Sequence, residues 1–275
     1  MMNNKLAFVG GGNMARSMIG GLLANDYDPG LIRVSDPDAQ QREALSRDFP
    51  VTVTEDNLTC IDAADVITTA IKPQNMKQVL ISLHQYLKPS SQLLISIAAG
   101  IRTRDIIRWI ERDIPLIRVM PNTPALIGCG ASVLFAGQNV QLFQKDMAQN
   151  IMQAVGEIAW VDNEDLLDAV TGISGSGPAY FFRIIEIMIK TAQKNGLDPE
   201  LSKKLVLQTA LGATQLARDS NLSATELRKQ VTSKRGTTEA ALNFMENSRV
   251  EAVFEGAISA AIARSRELAS ELGEK

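Results

Sequence analysis

Two segments combine residue types that could bind and turn over a ligand, and the first is DAVTGISGSGPAYFF at 168–182. Gly172, Gly175 and Gly177 permit backbone angles closed to other residues and let a ligand approach the main chain. Pro178 suits the first position of the apolar helix that follows, and Ser176 stands near its N-cap. The pattern favours a reactive turn, although a tight interdomain turn with a capped helix has the same composition.

The second segment is VTSKRGTTEAAL at 231–242. Thr232, Ser233, Thr237 and Thr238 supply hydroxyls, and Gly236 supplies backbone freedom before a helix that should start near Thr237. The exposed N–H groups and the dipole of a helix start can hold a carboxylate without a dedicated arginine. A capped turn between helices would look similar, so both interpretations stay open.

A glycine-rich turn follows the first apolar run of the chain, KLAFV at 5–9. The order is strand, GxGxxA turn and helix. Gly10 would permit the turn, Gly12 would let a pyrophosphate reach the N–H groups of the helix, and Ala15 would keep helix and strand close. A turn of this kind without a ligand is the alternative. The context favours dinucleotide binding, because a second strand at 31–35 ends in Ser35 and Asp36, where a carboxylate could accept hydrogen bonds from the adenosine ribose.

Further apolar runs at 64–71, 92–100 and 115–122 alternate with helical patterns, which predicts a parallel sheet with helices on both faces. Open sheets of this kind bind ligands at the carboxyl ends of their strands. Lys72 could lie near phosphate or ribose, or be a solvated charge beside a proline, and Asn57 could be only a helix cap. The residues that close the runs, and so form the predicted site, are Ala70, Ile71, Lys72, Pro73, Ala98, Ala99, Gly100 and 120–124.

Little strand pattern follows residues 157–161, so the chain is predicted to consist of a dinucleotide-binding domain at 1–162 and a helical domain at 163–275. The helix at 179–189 is apolar around most of its circumference and needs neighbours on several sides. We therefore expect an intertwined homodimer, with a self-contained helical domain as the alternative.

Composition excludes several classes of function. The chain has 275 residues, 45% of them hydrophobic and 21% charged, and a net charge of −3, which predicts no attraction to nucleic acid or to anionic membranes. Cys60 and Cys129 are too far apart in sequence for a thiolate zinc motif, and the single histidine, His84, leaves no Ser-His-Asp triad. We expect no metal, no membrane segment and no signal peptide, and a cytoplasmic protein with reduced thiols.

The motifs FVGGGNMA, AIKPQ, SIAAG, VMPNTP, DAVTGISGSGPAYFF and VTSKRGTTEAAL, in this order from about Lys5 to Leu268, resemble the pyrroline-5-carboxylate reductase family. The resemblance implies NADPH-dependent reduction of a cyclic imine to L-proline, the last step of proline biosynthesis, with NAD as a possible cofactor. It also implies an α/β N-terminal Rossmann-type doubly wound sheet followed by an all-α dimerisation domain, with dimers often assembled into decamers.

The resemblance also implies site residues. Gly10, Gly12 and Ser35, from the turn and the strand end, join the implied cofactor contacts. Ser233 and Gly236, from the hydroxyl-rich turn, join the implied substrate contacts. Thr238 is the best candidate for a catalytic residue that helps to manage the proton. The implied contacts are Gly11, Asn13, Met14, Asp36, Asn57, Ala70, Ile71, Lys72 and Ala99 for the cofactor, and Glu164, Gln230, Thr237 and Thr238 for the substrate.

The chain departs from the family pattern at three positions. Asp36 stands where many relatives place a small polar residue, and a carboxylate there should repel a 2′-phosphate and favour NADH. Lys234 and Arg235 replace the Pro-Gly of a frequent Ser-Pro-Gly-Gly turn, and they could tune substrate attraction or lie in solvent.

Two other functions stay open at this point. A β-hydroxyacid or 6-phosphogluconate-like dehydrogenase also opens with a similar turn, but it relies on a catalytic lysine in the helical half. The candidates here follow or precede apolar runs as surface charges would: Lys190, Lys194, Lys203 and Lys204. A protein that senses the dinucleotide without chemistry is the other alternative.

Overall fold

The computed structural model describes residues 4–274, which divide into two compact units. One unit runs through Ser176 and includes the chain again from Ala260 onward, and the other is Gly177–Ser259. The predicted domain boundary after residue 162 stays a prediction. The compact units separate later in the chain because the helical segment from Leu166 to Gly175 packs within the first unit.

The first unit is built on one sheet, to which eight strands contribute within the described residues. The spatial order is β3-β2-β1-β4-β5-β6-β7-β8, and only the β6–β7 pair is antiparallel among them. This arrangement confirms the predicted doubly wound sheet. The strands are β1 (Leu6–Val9), β2 (Ile32–Ser35), β3 (Thr52–Thr54), β4 (Val66–Thr69), β5 (Leu93–Ser96), β6 (Leu116–Met120), β7 (Gly130–Ala136) and β8 (Gly156–Val161).

Helices cover both faces of the sheet, and each face has its own hydrophobic core. Phe8 packs with Met18 on one face, and Val9 packs with Met76 on the other, because successive strand residues point to opposite faces. A strand buried on both sides reads as a continuous apolar run, which is why LAFV shows no alternation. The helices are α1 (Asn13–Ala24), α2 (Ala39–Asp48), α3 (Asn57–Ile61), α4 (Pro73–Leu83), α5 (Thr103–Ile110) and α6 (Leu142–Gln153).

The helical part of the chain begins with α7 (Leu166–Val170) and a π-helical turn (Thr171–Gly175) in the first unit. The second unit holds α8 (Gly177–Lys194), α9 (Pro199–Asp219), α10 (Ala224–Gln230) and α11 (Thr237–Asn247), and α12 (Val250–Glu274) begins there and ends in the first unit. The Ser223 and Glu226 side chains form the reciprocal capping box that opens α10. The helical C-terminal region is therefore as predicted.

The helices of the second unit expose large apolar side chains. Phe181, Phe182 and Phe244 are exposed by 58%, 64% and 72%. Apolar side chains in such numbers usually mark a surface that another protein covers. None of the helices in the described residues has the length and apolarity that a bilayer crossing requires.

Candidate active site

The turn after β1 is tight and leaves no room for a side chain. Gly10 has a φ of +98°, and a β-carbon there would lie 2.5 Å from the carbonyl oxygen of Ala70. The Gly10 N–H donates to the carbonyl oxygen of Ser35 at 2.8 Å. The turn therefore joins the carboxyl ends of β1, β2 and β4, and Gly10 has the role predicted from the sequence.

The start of α1 is open by contrast. Gly12 is the N-cap residue and supplies no side-chain hydrogen bond, and a β-carbon built on it would meet no heavy atom within 4 Å. Asn13 and Met14 open the first turn, whose N–H groups have no partner within the helix. Ala15 is fully buried against the core. This open helix start can accept an anion at the backbone.

The Asp36 carboxylate fastens the glycine turn to β2. One of its oxygens accepts from the N–H of Gly11 at 2.8 Å, and the other accepts from the N–H of Asp38 at 2.9 Å. Arg42, which sequence reasoning missed, donates from Nη1 to the carbonyl oxygens of Asp36 and Pro37, both at 2.9 Å. The corner after β2 thus holds a carboxylate and a guanidinium close together.

The other predicted cofactor residues lie at the same edge of the sheet. Ala70, Ile71 and Lys72 directly follow β4, and the exposed Lys72 precedes Pro73, the first residue of α4. Ala99 follows β5 and is half-buried. Because β1, β2, β4 and β5 are parallel, these residues share the carboxyl edge with the glycine turn.

Asn57 is not the cap of its helix. It is the first residue of α3, and Asp56 is the N-cap. The Asp56 carboxylate accepts from the N–H groups of Leu58 and Thr59 at 3.2 and 2.9 Å. The side chain of Asn57 is therefore not needed for capping, which leaves its predicted cofactor contact open.

The run of small residues at 171–177 is helical, which corrects two expectations. Gly172, Gly175 and Gly177 are not among the residues with positive φ, and Ser176 has the helical angles φ −85° and ψ −19° rather than those of an N-cap. The Ser176 N–H donates to the carbonyl oxygen of Thr171 at 2.8 Å, so the π-helical turn leads straight to α8. Pro178 is the second residue of α8, not the first. Inserted turns of this type are frequent at functional sites.

Close packing, not unusual backbone angles, explains Gly175. A β-carbon there would lie 2.5 Å from Cε of Met120, at the end of β6. The buried amide of Asn122 donates to the carbonyl oxygen of Ser174 at 3.0 Å and accepts from the N–H of Ala131 at 2.9 Å. The VMPN and GISG motifs are therefore held together at this edge of the sheet.

Glu164 lies in the first unit, and its carboxylate is fully engaged. It accepts from the N–H and the hydroxyl of Thr103, both at 2.8 Å, and from the buried guanidinium of Arg118 at 3.0 Å. These contacts give Glu164 a structural role, and its predicted substrate contact stays a prediction. Nearby, Asp168 is buried and accepts from Ser265 at 2.7 Å and from Arg102 at 3.2 Å.

The other predicted substrate residues are together in the second unit, around the start of α11. Gln230 ends α10, Ser233 lies in the turn, and Gly236 is the N-cap residue without a capping side chain. Thr237 and Thr238 are the first two residues of α11, exposed and half-buried respectively.

The two N–H groups directly before α11 are already bonded. The Gly236 N–H donates to the carbonyl oxygen of Ser233 at 3.0 Å, and the Arg235 N–H donates to the Glu239 carboxylate at 2.7 Å. Arg235 adopts a φ of +60°, in the left-handed region that favours glycine. The anion site predicted here therefore reduces to the first turn of α11, with Thr237 and Thr238.

Comparison with known proteins matches both parts of the chain. Residues 164–268 match the family described as pyrroline-5-carboxylate reductase dimerisation, and residues 5–100 match NADP oxidoreductase coenzyme F420-dependent. The pyrroline-5-carboxylate reductase of Pseudomonas aeruginosa is 46% identical over 274 residues, with 100% of each chain covered. That of Haemophilus influenzae is 40% identical, with 98% of each chain covered.

Solved structures of the same family also match this chain. A pyrroline-5-carboxylate reductase from Coxiella burnetii has a TM-score of 0.92 at 38% identity, covering 97% of this chain and 99% of its own. A Plasmodium falciparum pyrroline carboxylate reductase with NADP bound has a TM-score of 0.88 at 30% identity, covering 98% and 99%. The chain therefore belongs to the pyrroline-5-carboxylate reductase family.

Proposed function

We propose that this chain reduces 1-pyrroline-5-carboxylate to L-proline, the last step of proline biosynthesis, as an NAD(P)H-dependent oxidoreductase. The observation that carries the proposal is full-length membership in the reductase family, at 46% identity to a relative of that name. The open helix start of α1 agrees with it, because an enzyme of this class must hold a dinucleotide.

The residues at the carboxyl edge fit a bound dinucleotide. When bound, NAD(P)H supplies the hydride. The room left at Gly12 and the N–H groups of Asn13 and Met14 would hold the pyrophosphate. The other residues proposed to bind the cofactor are Gly10, Gly11, Ser35, Asp36, Asn57, Ala70, Ile71, Lys72 and Ala99.

Charge at the corner after β2 bears on the choice between NADPH and NADH. Asp36, Asp38 and the exposed Glu55 bring three carboxylates to this corner, and Arg42, which donates to Glu55 at 3.3 Å, brings one guanidinium. A 2′-phosphate would meet more negative than positive charge here, and Arg42 would partly offset the repulsion. We propose that the chain uses both cofactors and that Asp36 weakens its preference for NADPH.

The start of α11 is the part of the chain that we propose binds the substrate. Thr237, Thr238 and the adjoining N–H groups hold the carboxylate or the ring nitrogen, and Thr238 helps to manage the proton on that nitrogen. Gln230, Ser233 and Gly236 are the other substrate residues that we propose in this turn. We also propose Glu164 as a substrate residue, on the family resemblance. A protonated imine is already a strong electrophile, so the reaction needs alignment more than a strong acid or a metal. Alignment is worth roughly 7–11 kcal/mol at best.

The chain forms a homo-oligomer and acts on a small molecule. Residues 164–268 match a dimerisation region, and the exposed apolar side chains of the second unit, such as Phe181 and Phe244, suit a covered surface. We propose further that dimers assemble into a decamer, and that the protein works in the cytoplasm without nucleic acid or membrane partners.

The alternative dehydrogenase needs a catalytic lysine in the helical half. Lys190 pairs with Glu186 at 2.5 Å, and all four candidate lysines are exposed in this chain: Lys190, Lys194, Lys203 and Lys204. Exposed, solvated ammonium groups are ordinary surface charges. This geometry favours the imine reductase.

The test uses the purified protein with NADPH and 1-pyrroline-5-carboxylate. We expect loss of the nicotinamide absorbance only when the imine is present, with one L-proline formed for each cofactor oxidised. A sensor protein would bind the cofactor and consume none. Binding without imine-dependent oxidation would therefore contradict the proposal.

A further inference from the structure

A cleft of about 720 Å³ opens in the first unit at the amino ends of the parallel strands. Arg33 lies near the start of β2, Asp62 precedes β4, Lys88 precedes β5 and Arg112 precedes β6. The proposed cofactor residues end or follow β1, β2, β4 or β5, or lie at the helix start after β3. Because these strands are parallel, the cleft lies at the opposite edge of the sheet from the proposed cofactor site.

The cleft is positively charged within a chain of net charge −3. Its lining includes three cationic side chains, Arg33, Lys88 and Arg112, and a single carboxylate, that of Asp62. The cations come from three different segments of the chain, and the fold of one unit brings them to the same cleft. A concentration of one charge in a concave surface attracts ligands of the opposite charge.

Neutral carbonyl groups hold the two guanidinium groups in place. Arg33 donates from Nη1 to the carbonyl oxygen of Thr59 at 3.0 Å, and Arg112 donates from Nη1 to that of Leu87 at 3.2 Å. A guanidinium has five N–H donors, so one such bond orients it without neutralising it. The charge of both groups thus remains for a ligand.

Lys88 completes the set of cations. Its Nζ donates to the carbonyl oxygen of Asp62 at 2.6 Å and lies 3.3 Å from a carboxylate oxygen of the same residue. The rest of the lining mixes polar and apolar side chains, among them Leu58 and Ile61, and the aromatic residue Tyr86 is 52% exposed. The cleft therefore combines three cationic groups with one exposed aromatic residue.

We propose that this cleft binds a small anion that carries several phosphate groups, either a free oligophosphate or the phosphate tail of a nucleotide. Guanidinium forks match phosphate oxygens, and three separate cations suit several phosphate groups better than a single carboxylate. The volume lies in the range of small-molecule sites. The site is separate from the reaction proposed above and does not depend on it.

The experiment is calorimetric titration of tripolyphosphate, and in parallel of ATP, into the full-length protein saturated with NADPH. Saturation keeps ATP out of the dinucleotide site. We expect both anions to bind, and the affinity to fall with added salt. The Arg33→Gln/Arg112→Gln double variant should bind on the order of a hundredfold more weakly, since it loses two charged phosphate contacts.

The matched control is Arg47→Gln, which removes an exposed arginine of the same unit that pairs with Asp48 and does not line the cleft. This variant should bind tripolyphosphate as the wild type does. All variants should keep the circular dichroism spectrum and the NADPH affinity of the wild type, which shows that they are folded.

The two sources of phosphate are distinguished by Tyr86. Tighter binding of ATP than of tripolyphosphate, lost in Tyr86→Leu, assigns the cleft to a nucleotide, and equal affinities assign it to a free oligophosphate. Failure of both anions to bind would overturn the proposal. So would a folded double variant with wild-type affinity for tripolyphosphate.

Discussion

Gly12→Ala separates the binding role of the glycine turn from its structural role. A β-carbon at Gly12 meets no heavy atom within 4 Å, so the substitution should change the free energy of unfolding by only about 0.5 kcal/mol. A dinucleotide whose phosphate oxygens contact the backbone here would be displaced by the added methyl group. Loss of one charged hydrogen bond costs about 1.5–3 kcal/mol, which corresponds to a Kd roughly 10- to 100-fold higher.

The assay is a titration of NADPH into the variant, monitored by nicotinamide fluorescence. Thermal unfolding of the protein without cofactor is measured in parallel. Gly20→Ala is the control on the same helix, because its β-carbon would lie 3.5 Å from the Phe49 ring, an ordinary contact. The control should keep the NADPH affinity of the wild type. Unchanged NADPH affinity in Gly12→Ala, with the fold intact, would refute the placement of the pyrophosphate.

Four further substitutions or labelling experiments test other parts of the account. Thr238→Ala should lower turnover far more than NADPH affinity, and unchanged steady-state kinetics would remove its proposed role with the proton. Asp36→Ser should raise the ratio of kcat/KM for NADPH to kcat/KM for NADH, because it removes a carboxylate from the corner after β2. This prediction is refuted if the wild type strongly favours NADPH and the variant has the same preference. Glu164→Gln should destabilise the protein by about 3 kcal/mol in denaturant unfolding, because it leaves the buried guanidinium of Arg118 without a charged partner. A raised KM without lost stability would show a substrate role instead. Burial raises the pKa of the Cys60 thiol to about 11, so iodoacetamide should label only the exposed Cys129 in the native protein and both thiols after unfolding. The stability that protonated Cys60 contributes should be lost as the pH rises from about 9 to about 11.

Local sequence patterns predicted the parts of the fold that depend on neighbours in the chain. The strand at Leu6–Val9, its glycine turn and the start of α1 are consecutive, and the space around Gly10 and Gly12 agrees with the roles assigned to them. The strands β3 and β7 were not predicted. Thr52–Thr54 has only three residues, and Gly130–Ala136 joins the sheet through an antiparallel pairing with β6 that the alternation of strands and helices does not indicate.

Contacts between residues far apart in sequence could not be predicted. The helical form of 171–175 contradicts the low helix propensity of glycine and is accompanied by contacts from Met120 and Asn122, about fifty residues earlier. The partners of Glu164, Thr103 and Arg118, are just as remote. The hydrogen bond from the Gly11 N–H to the Asp36 carboxylate could not be predicted either. The family motifs indicate these two residues only as separate cofactor contacts.

Transfer of an isotopic label tests most directly whether the reaction is hydride delivery to an imine. The protein would be supplied with 1-pyrroline-5-carboxylate and NADPH deuterated at the reactive face of the nicotinamide ring, and the product analysed by mass spectrometry and proton NMR. The account predicts L-proline with one deuterium, at the ring carbon that was the imine carbon. Proline without deuterium, or with deuterium exchanged into other positions, would contradict it.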